Sequence, residues 1–191
     1  MSTCQPIKEK RDIERMKNYF AEKEQYRNYA MVTMGLNTAL RISDLLTLTW
    51  DSVYHSQHRR FHKHIHVIEQ KTGKANFIPI NTSIKQALRL YRKQYDSLPS
   101  TYLFYNPQTP EQPITRVQAY RIIHRAAQEL ELEGTIGCHS LRKTFGYQAW
   151  KNGAQPALLM SVFNHSSYQI TKRYLCIEQD DKDQLFLKTN L

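Results

Sequence analysis

The sequence has no apolar run near the roughly 18 residues that a bilayer span requires, so no segment reads as a transmembrane helix. Its opening, MSTCQPIKEKRDIERMK, lacks the apolar core of a secretion signal, and the chain is expected to stay in the cytoplasm, on the nucleoid when bound there. Cysteine is scarce. Cys4, Cys138 and Cys176 are odd in number and far apart, which fits neither a disulfide framework nor a zinc module, so they read as reduced thiols. Acids are short as well: 17 Asp and Glu stand against 27 Lys and Arg, a formal net charge of +10. That excess favours a polyanionic partner, because cations that neutralise phosphates release the counterions condensed on them. No repeat or low-complexity tract interrupts the chain.

What is present is apolar material in normal measure, 40% of residues with 11% aromatic, more than a disordered basic tail carries. The 191 residues suit one domain, 1–191. Ile13, Met16, Tyr19 and Phe20, then Tyr26, Tyr29, Ala30, Val32 and Met34, recur at helical spacing and predict one or two amphipathic helices over 8–36. Gly35-Leu36-Asn37-Thr38 breaks that pattern. Ser43 before Asp44-Leu45-Leu46 reads as the N-cap of a short helix, which sets Arg41 at the mouth of a helix N-terminus. Residues 64–68 and 77–80 flank the polar turn Lys71-Thr72-Gly73-Lys74 and predict a β-hairpin with lysines at its tip. A helix is expected around Ile84, Leu88 and Tyr91, followed by a Pro- and Asn-rich loop from Pro99 to Pro113. Helices follow over 115–131, 139–150, 156–163 and 167–175, with a weak one over 181–187. The predicted fold is mostly α with a small antiparallel β-sheet, an α+β domain.

The second half gathers its polar chemistry in His139-Ser140-Leu141-Arg142 at a helix start. Positions three apart lie about 60° apart around a helix, so His139 and Arg142 can reach one anion. His165 falls in Asn164-His165-Ser166-Ser167, between two helical patterns. On one continuous helix His165 and Tyr174 would lie on opposite faces, and the Ser-rich break lets them converge. Each residue also has a plainer reading: a cap or core hydrogen-bonder for either histidine, a surface ion pair for Arg142, a packed ring for Tyr174.

Taken in order, Leu40-Arg41-Ile42-Ser43-Asp44-Leu45-Leu46, Gln70-Lys71-Thr72-Gly73-Lys74, His139-Ser140-Leu141-Arg142, and Asn164-His165 followed nine residues later by Tyr174-Leu175 resemble one family. It is the tyrosine recombinases, also called the phage-integrase family, whose catalytic domain the chain resembles over nearly its whole length. The resemblance implies that family's DNA breaking-rejoining fold and a phosphoryl transfer with no metal, ATP or other cofactor. In it Tyr174 attacks a phosphodiester of double-stranded DNA, leaving a 3′-phosphotyrosine and a free 5′-hydroxyl. The residue types suit the chemistry. A phenol of pKa about 10 is both a fair nucleophile and a fair leaving group, so the linkage keeps the energy of the broken bond for resealing. The resemblance makes Arg41 and Arg142 the guanidinium partners of the non-bridging oxygens, Arg41 with help from its helix N-terminus. Lys71 is implied as the general acid to the departing 5′-oxygen, with Lys74 in the same turn as its rival and otherwise a DNA contact. His139 would accept the tyrosine proton or hold a phosphate oxygen, and His165 would donate to one.

Two departures stand out. Asn164 replaces a glycine found in many members, a mild change because asparagine tolerates left-handed backbone. Forty residues precede Arg41, where most members carry a separate DNA-binding domain. The chain thus resembles short members such as the fimbrial phase-variation recombinases, with a piece of a longer enzyme as the alternative. The resemblance further implies a monomer that becomes a tetramer on DNA, accessory DNA-bending or directionality proteins as further partners, and a tail over 176–191 that docks on a neighbouring protomer. Arg116 and Arg121 are expected DNA contacts, while Arg89, Arg92 and Lys93 suit either the phosphate backbone or a solvated face. His62, His64 and His66 alternate on a predicted strand and could bind a metal, though Arg59, Arg60 and Lys63 would repel a cation. Beside a site-specific recombinase stand three other readings: a type IB topoisomerase, a non-catalytic DNA-binding regulator and a metal sensor.

Overall fold

The computed structural model describes residues 4–94 and 100–189. The first helical stretch is two helices, α1 (Lys10–Glu22) and α2 (Tyr26–Thr38). The amphipathic α1 buries only Met16 and Phe20, whereas α2 is buried along most of its length and forms the axis of the fold. Against it pack α1, α5 (Thr82–Lys93) and α7 (Cys138–Lys151). Gly35 does not end α2 but admits α7: a Cβ there would stand 2.7 Å from Cδ1 of Leu141. The stop comes at Ala39, which is left-handed with φ 54° and ψ 16°. That turn delivers Arg41 to the start of α3 (Ile42–Leu46). The expected cap, Ser43, lies inside α3. Arg41 holds the cap position instead, because its carbonyl already accepts from the Asp44 and Leu45 amides at 3.0 and 2.9 Å.

After α4 (Trp50–Val53) come three two-stranded antiparallel ribbons rather than one: β1 (Tyr54–His55) with β2 (Arg60–Phe61), β3 (His64–Ile68) with β4 (Ala75–Pro79), and β5 (Tyr105–Asn106) with β6 (Thr109–Pro113). The middle one is the predicted hairpin. Ile65 and Val67 point into the core while His64, His66 and Ile68 face out, and Ile65 pairs with Ile78. In the other two, β1, β2 and β5 have two residues each, too short for a period to show, and the five-residue β6 (TPEQP) has no apolar alternation. Where a Pro- and Asn-rich loop was expected, the chain folds back because the Asn106 side chain accepts from the Gln108 amide at 3.1 Å and closes the β5–β6 turn. The first residue of that loop, Pro99, lies outside the described residues.

The remaining helices fall where helical periodicity sets them. Asn81 caps α5 through the Ile84 amide, and Thr115 with Gln118 forms a reciprocal cap on α6 (Arg116–Glu129). Pro156 opens α8 (Pro156–Phe163), Ser167 caps α9 (Tyr168–Leu175) through the Ile170 amide, and α10 (Glu178–Lys188) follows. No helix of the described residues is long and apolar enough to cross a membrane. The three cysteines are free thiols, and burial pushes the Cys138 thiol up to about 11.

The main core surrounds α2, with Ile65, Leu88, Tyr91, Leu103 and Ile123 among its buried members. A smaller one, of Ala39, Tyr147, Leu159, Phe163, Leu175 and Ile177, forms where α7, α8 and α9 meet. Gly146 of α7 makes that meeting close: a Cβ would lie 2.5 Å from Cδ2 of Leu175 and 2.6 Å from Cζ of Phe163. Gly146→Ala gains about 1 kcal/mol of helix propensity but forces two buried side chains apart at about 1–3 kcal/mol. A net loss near 1 kcal/mol, seen as a lower midpoint in urea, is expected; a raised midpoint would mean that α8 and α9 do not press on α7.

Candidate active site

Two buried carboxylates tie α3 to the β3–β4 hairpin. Asp44, only 1% exposed, accepts the Gln70 amide on Oδ1 at 3.0 Å. Glu69, the first residue after β3, accepts a short hydrogen bond from Nη1 of Arg41. The Thr72 hydroxyl donates to the same carboxylate at 3.1 Å, and the Asn76 amide nitrogen does so at 3.3 Å. Burial works against this charge, but the bonds from Arg41 and Thr72 outweigh it and hold the Glu69 carboxyl below its ordinary range. The Glu69 carbonyl closes the turn by accepting the Gly73 amide at 2.8 Å, with Gly73 left-handed at φ 67°. The turn displays Lys71 and Lys74, both exposed.

Opposite stands α7, which carries His139 in its first turn and Arg142 one turn on. Arg142 is 4% exposed. It donates to two main-chain carbonyls, a short bond from Nη1 to Ala39 and one of 3.4 Å from Nη2 to Phe163, while its guanidinium lies 4.9 Å from the Phe163 ring centroid. The left-handed turn at Ala39 and the end of α8 therefore aim this arginine.

Tyr174 comes from α9. Its ring meets His165 edge-on at 5.2 Å between centroids and tilts against Phe163 at 5.5 Å. The Lys143 ammonium, on a side chain 4% exposed, lies 5.2 Å from the ring centroid and donates to the Cys4 carbonyl at 2.6 Å. Burial raises the Tyr174 phenol above its ordinary pKa, and the nearby Arg142 guanidinium and then Arg41 pull it back. The helix break does what the spacing requires: Asn164 is left-handed with φ 56° and ψ 49°, ending α8. Its side-chain oxygen accepts from the Lys74 ammonium, so the hairpin tip meets the His165 loop.

His165 Nδ1 lies 3.1 Å from the Thr171 hydroxyl, which itself lies 3.3 Å from the Ser167 carbonyl. A hydroxyl has one proton, and the carbonyl can only accept it; hence Nδ1–H is the donor and the neutral ring keeps its lone pair on Nε2, an assignment from the network. Desolvation first, then Arg142 and Arg41, lowers the His165 pKa. For the exposed His139, partial desolvation and then Lys143, Arg142 and Arg41 do the same. Both imidazoles are neutral at pH 7, and folding stability falls as pH drops below the ordinary 6.5, where the unfolded chain takes up protons first.

The structure thus brings Arg41, Arg142, His139, His165 and Tyr174 around one centre. Lys71 remains on the turn, and among the described residues no hydrogen bond or ion pair holds it. Arg116 and Arg121 lie elsewhere, exposed on α6, with Arg121 lining a cleft beside Lys23, Arg27 and Arg125. Arg89, Arg92 and Lys93 line another with Arg59, Arg60 and Lys85. The histidine strand does not converge: His62 turns to the Asp51 carbonyl at 3.0 Å, and His66 stacks on Phe77 at 4.5 Å. Among the described residues no group of His, Cys, Asp and Glu could hold a metal ion. Sequence reasoning missed Glu69, Asp44 as the tether of Gln70, and Lys143. The signal for Asp44 was its place three residues after Arg41 in an apolar motif.

Comparison with known proteins adds three findings. The family model described as the phage integrase family matches residues 8–180. The integrase/recombinase YoeC of Bacillus subtilis (strain 168) is 40% identical over 180 residues, 94% of this chain and 93% of that protein. Among solved structures, XerA recombinase superposes on the whole chain with a TM-score of 0.76 at 18% identity, and XerH site-specific recombinase, in its post-cleavage complex with palindromic difH substrate, on 91% of it with 0.70 at 16%. The chain spans 66% of the XerA chain and 49% of the XerH chain. Their likeness is one of fold: helices with small antiparallel ribbons.

Proposed function

The chain belongs to the phage integrase family, the tyrosine recombinases, and from that premise we propose that it is a site-specific DNA recombinase in which Tyr174 forms a 3′-phosphotyrosine. The observation that carries this reading is the convergence of the Tyr174 ring with His165 and Arg142 behind Arg41. Arg41 and Arg142 offer guanidinium edges to the two non-bridging oxygens, where negative charge grows in the transition state. A neutral His165 with its lone pair on Nε2 is built to accept. It donates to a phosphate oxygen only after taking a proton, which the incoming anion favours. His139, on the rim, is the second candidate for the tyrosine proton. Lys71, exposed at the hairpin tip, protonates the departing 5′-oxygen.

Duplex DNA is the proposed partner; the XerH structure is a site-specific recombinase bound to its palindromic difH substrate. Arg116, Arg121 and Lys74 then act as backbone contacts that position the duplex. Assembly as a tetramer on DNA belongs to the same reading. The start of α10 is held in cis by Lys8 on Asp180 at 2.9 Å, while Leu185, Phe186 and Leu187 at its end stand exposed, which supports docking of the tail on a neighbouring protomer.

The test begins with a duplex recovered by wild-type protein from a random-sequence library and nicked so that the cleaved strand diffuses away. Wild type should yield a protein–DNA adduct that survives denaturant, in equal amount with and without EDTA. A duplex that is bound tightly and never trapped would leave a DNA-binding regulator as the function.

A further inference from the structure

Glu69 has no part in the chemistry described above, yet it is the most heavily engaged carboxylate near the centre. Its side chain is 5% exposed and receives Arg41, Thr72 and Asn76. Among the described residues it is the sole hydrogen-bond partner of the Arg41 side chain, and its charge also reaches Arg142. Two guanidinia share this centre with two neutral imidazoles, and like charges repel each other unless an anion stands among them. In the DNA-bound enzyme that anion is the phosphate. Without DNA the structure shows Glu69 against Arg41.

We propose that Glu69 is a positioning residue, a resident counter-ion that holds Arg41 in the phosphate-binding attitude and locks it to the hairpin turn bearing Lys71. The proposal rests on the phosphoryl-transfer reading above and deepens it. A guanidinium has five N–H donors, and the bond to Glu69 takes one at Nη1, so the phosphate need not displace the carboxylate. The same carboxylate accepts from Thr72 inside the turn, and the Glu69 main chain closes that turn on Gly73. Arg41 and the general acid are therefore placed by one residue. Asp44 acts differently, since it binds the Gln70 amide and touches neither arginine through any hydrogen bond among the described residues.

Glu69→Ala and Glu69→Gln, the second keeping an acceptor and the shape, are compared with wild type on the selected nicked duplex in single-turnover trapping. The rate constant is read apart from the amplitude, which reports the folded fraction. DNA affinity should hold or rise, since a negative charge is lost, while the rate constant falls about tenfold to a hundredfold for Glu69→Ala, the scale of a misplaced catalytic group. Glu69→Gln should lie between. Rate constants equal to wild type, with only the amplitude reduced, would make Glu69 a structural residue and overturn the proposal. A second arm needs no cleavage: inorganic phosphate should raise the melting temperature of Glu69→Ala more than that of wild type, by refilling the vacated charge. Equal shifts would also overturn it. If wild type itself traps no DNA, the phosphoryl-transfer reading fails, and the melting arm still decides whether Glu69 balances the arginines.

Discussion

Arg142→Lys is expected to fold, bind DNA and form the covalent adduct about 10²–10³-fold more slowly than wild type, the loss typical of removing one preorganised charge donor from a transition state. Lysine keeps the charge but gathers its donors on one nitrogen, without the planar fork whose Nη1 and Nη2 reach the separate Ala39 and Phe163 carbonyls while an edge is offered to the phosphate. Arg142→Ala should lose the rate and also stability, by about 2–4 kcal/mol. It strands two buried carbonyls and removes the cation from the face of Phe163. Comparing the two substitutions separates chemistry from folding: trapping kinetics should fall in both, and the urea midpoint should fall chiefly in the alanine variant. A lysine variant that cleaves like wild type would remove Arg142 from the phosphate clamp.

The second large effect concerns the acid. Lys71→Ala should slow cleavage by about 10²–10⁴-fold, the usual span for a general acid, and Lys74→Ala far less, because the Lys74 ammonium is occupied by the Asn164 side chain. Replacing the departing 5′-oxygen with sulfur isolates the role. A thiol of pKa about 8.5 leaves as the thiolate without a donated proton, so this substrate should restore Lys71→Ala and leave an arginine defect uncorrected. If sulfur rescues Lys74→Ala instead, the two lysines exchange roles.

How much of this was legible depends on the length of each signal. The hairpin showed because β3 alternates cleanly, with Ile65 and Val67 inward, and the late helices showed because their apolar spacing and breaks at Gly153, Pro156 and Ser167 agree. The site residues were legible as an ordered set of motifs, since no single histidine or arginine distinguishes itself from a cap or a surface ion pair. Glu69 stayed hidden for the same reason: a glutamate after a strand reads as solvated, and only the fold brings Arg41, 28 residues earlier, onto it. Asp44 acts through a backbone amide, a partner that carries no side-chain signature. The two extra ribbons escaped because the two-residue strands β1, β2 and β5 have no period and β6 carries two prolines and no apolar alternation. The alternating histidines do not share one strand, since β3 begins at His64 and leaves His62 outside the ladder.

The central claim is that one phenol carries the bond. Wild-type protein trapped on the nicked duplex should be digested with protease and nuclease, and the modified peptide sequenced by mass spectrometry. The nucleotide remnant should sit on Tyr174 through its 3′-phosphate, and Tyr174→Phe should bind the same duplex and yield no adduct. A remnant on any other residue, a 5′-linked phosphate, or an adduct that persists in the phenylalanine variant would contradict the account.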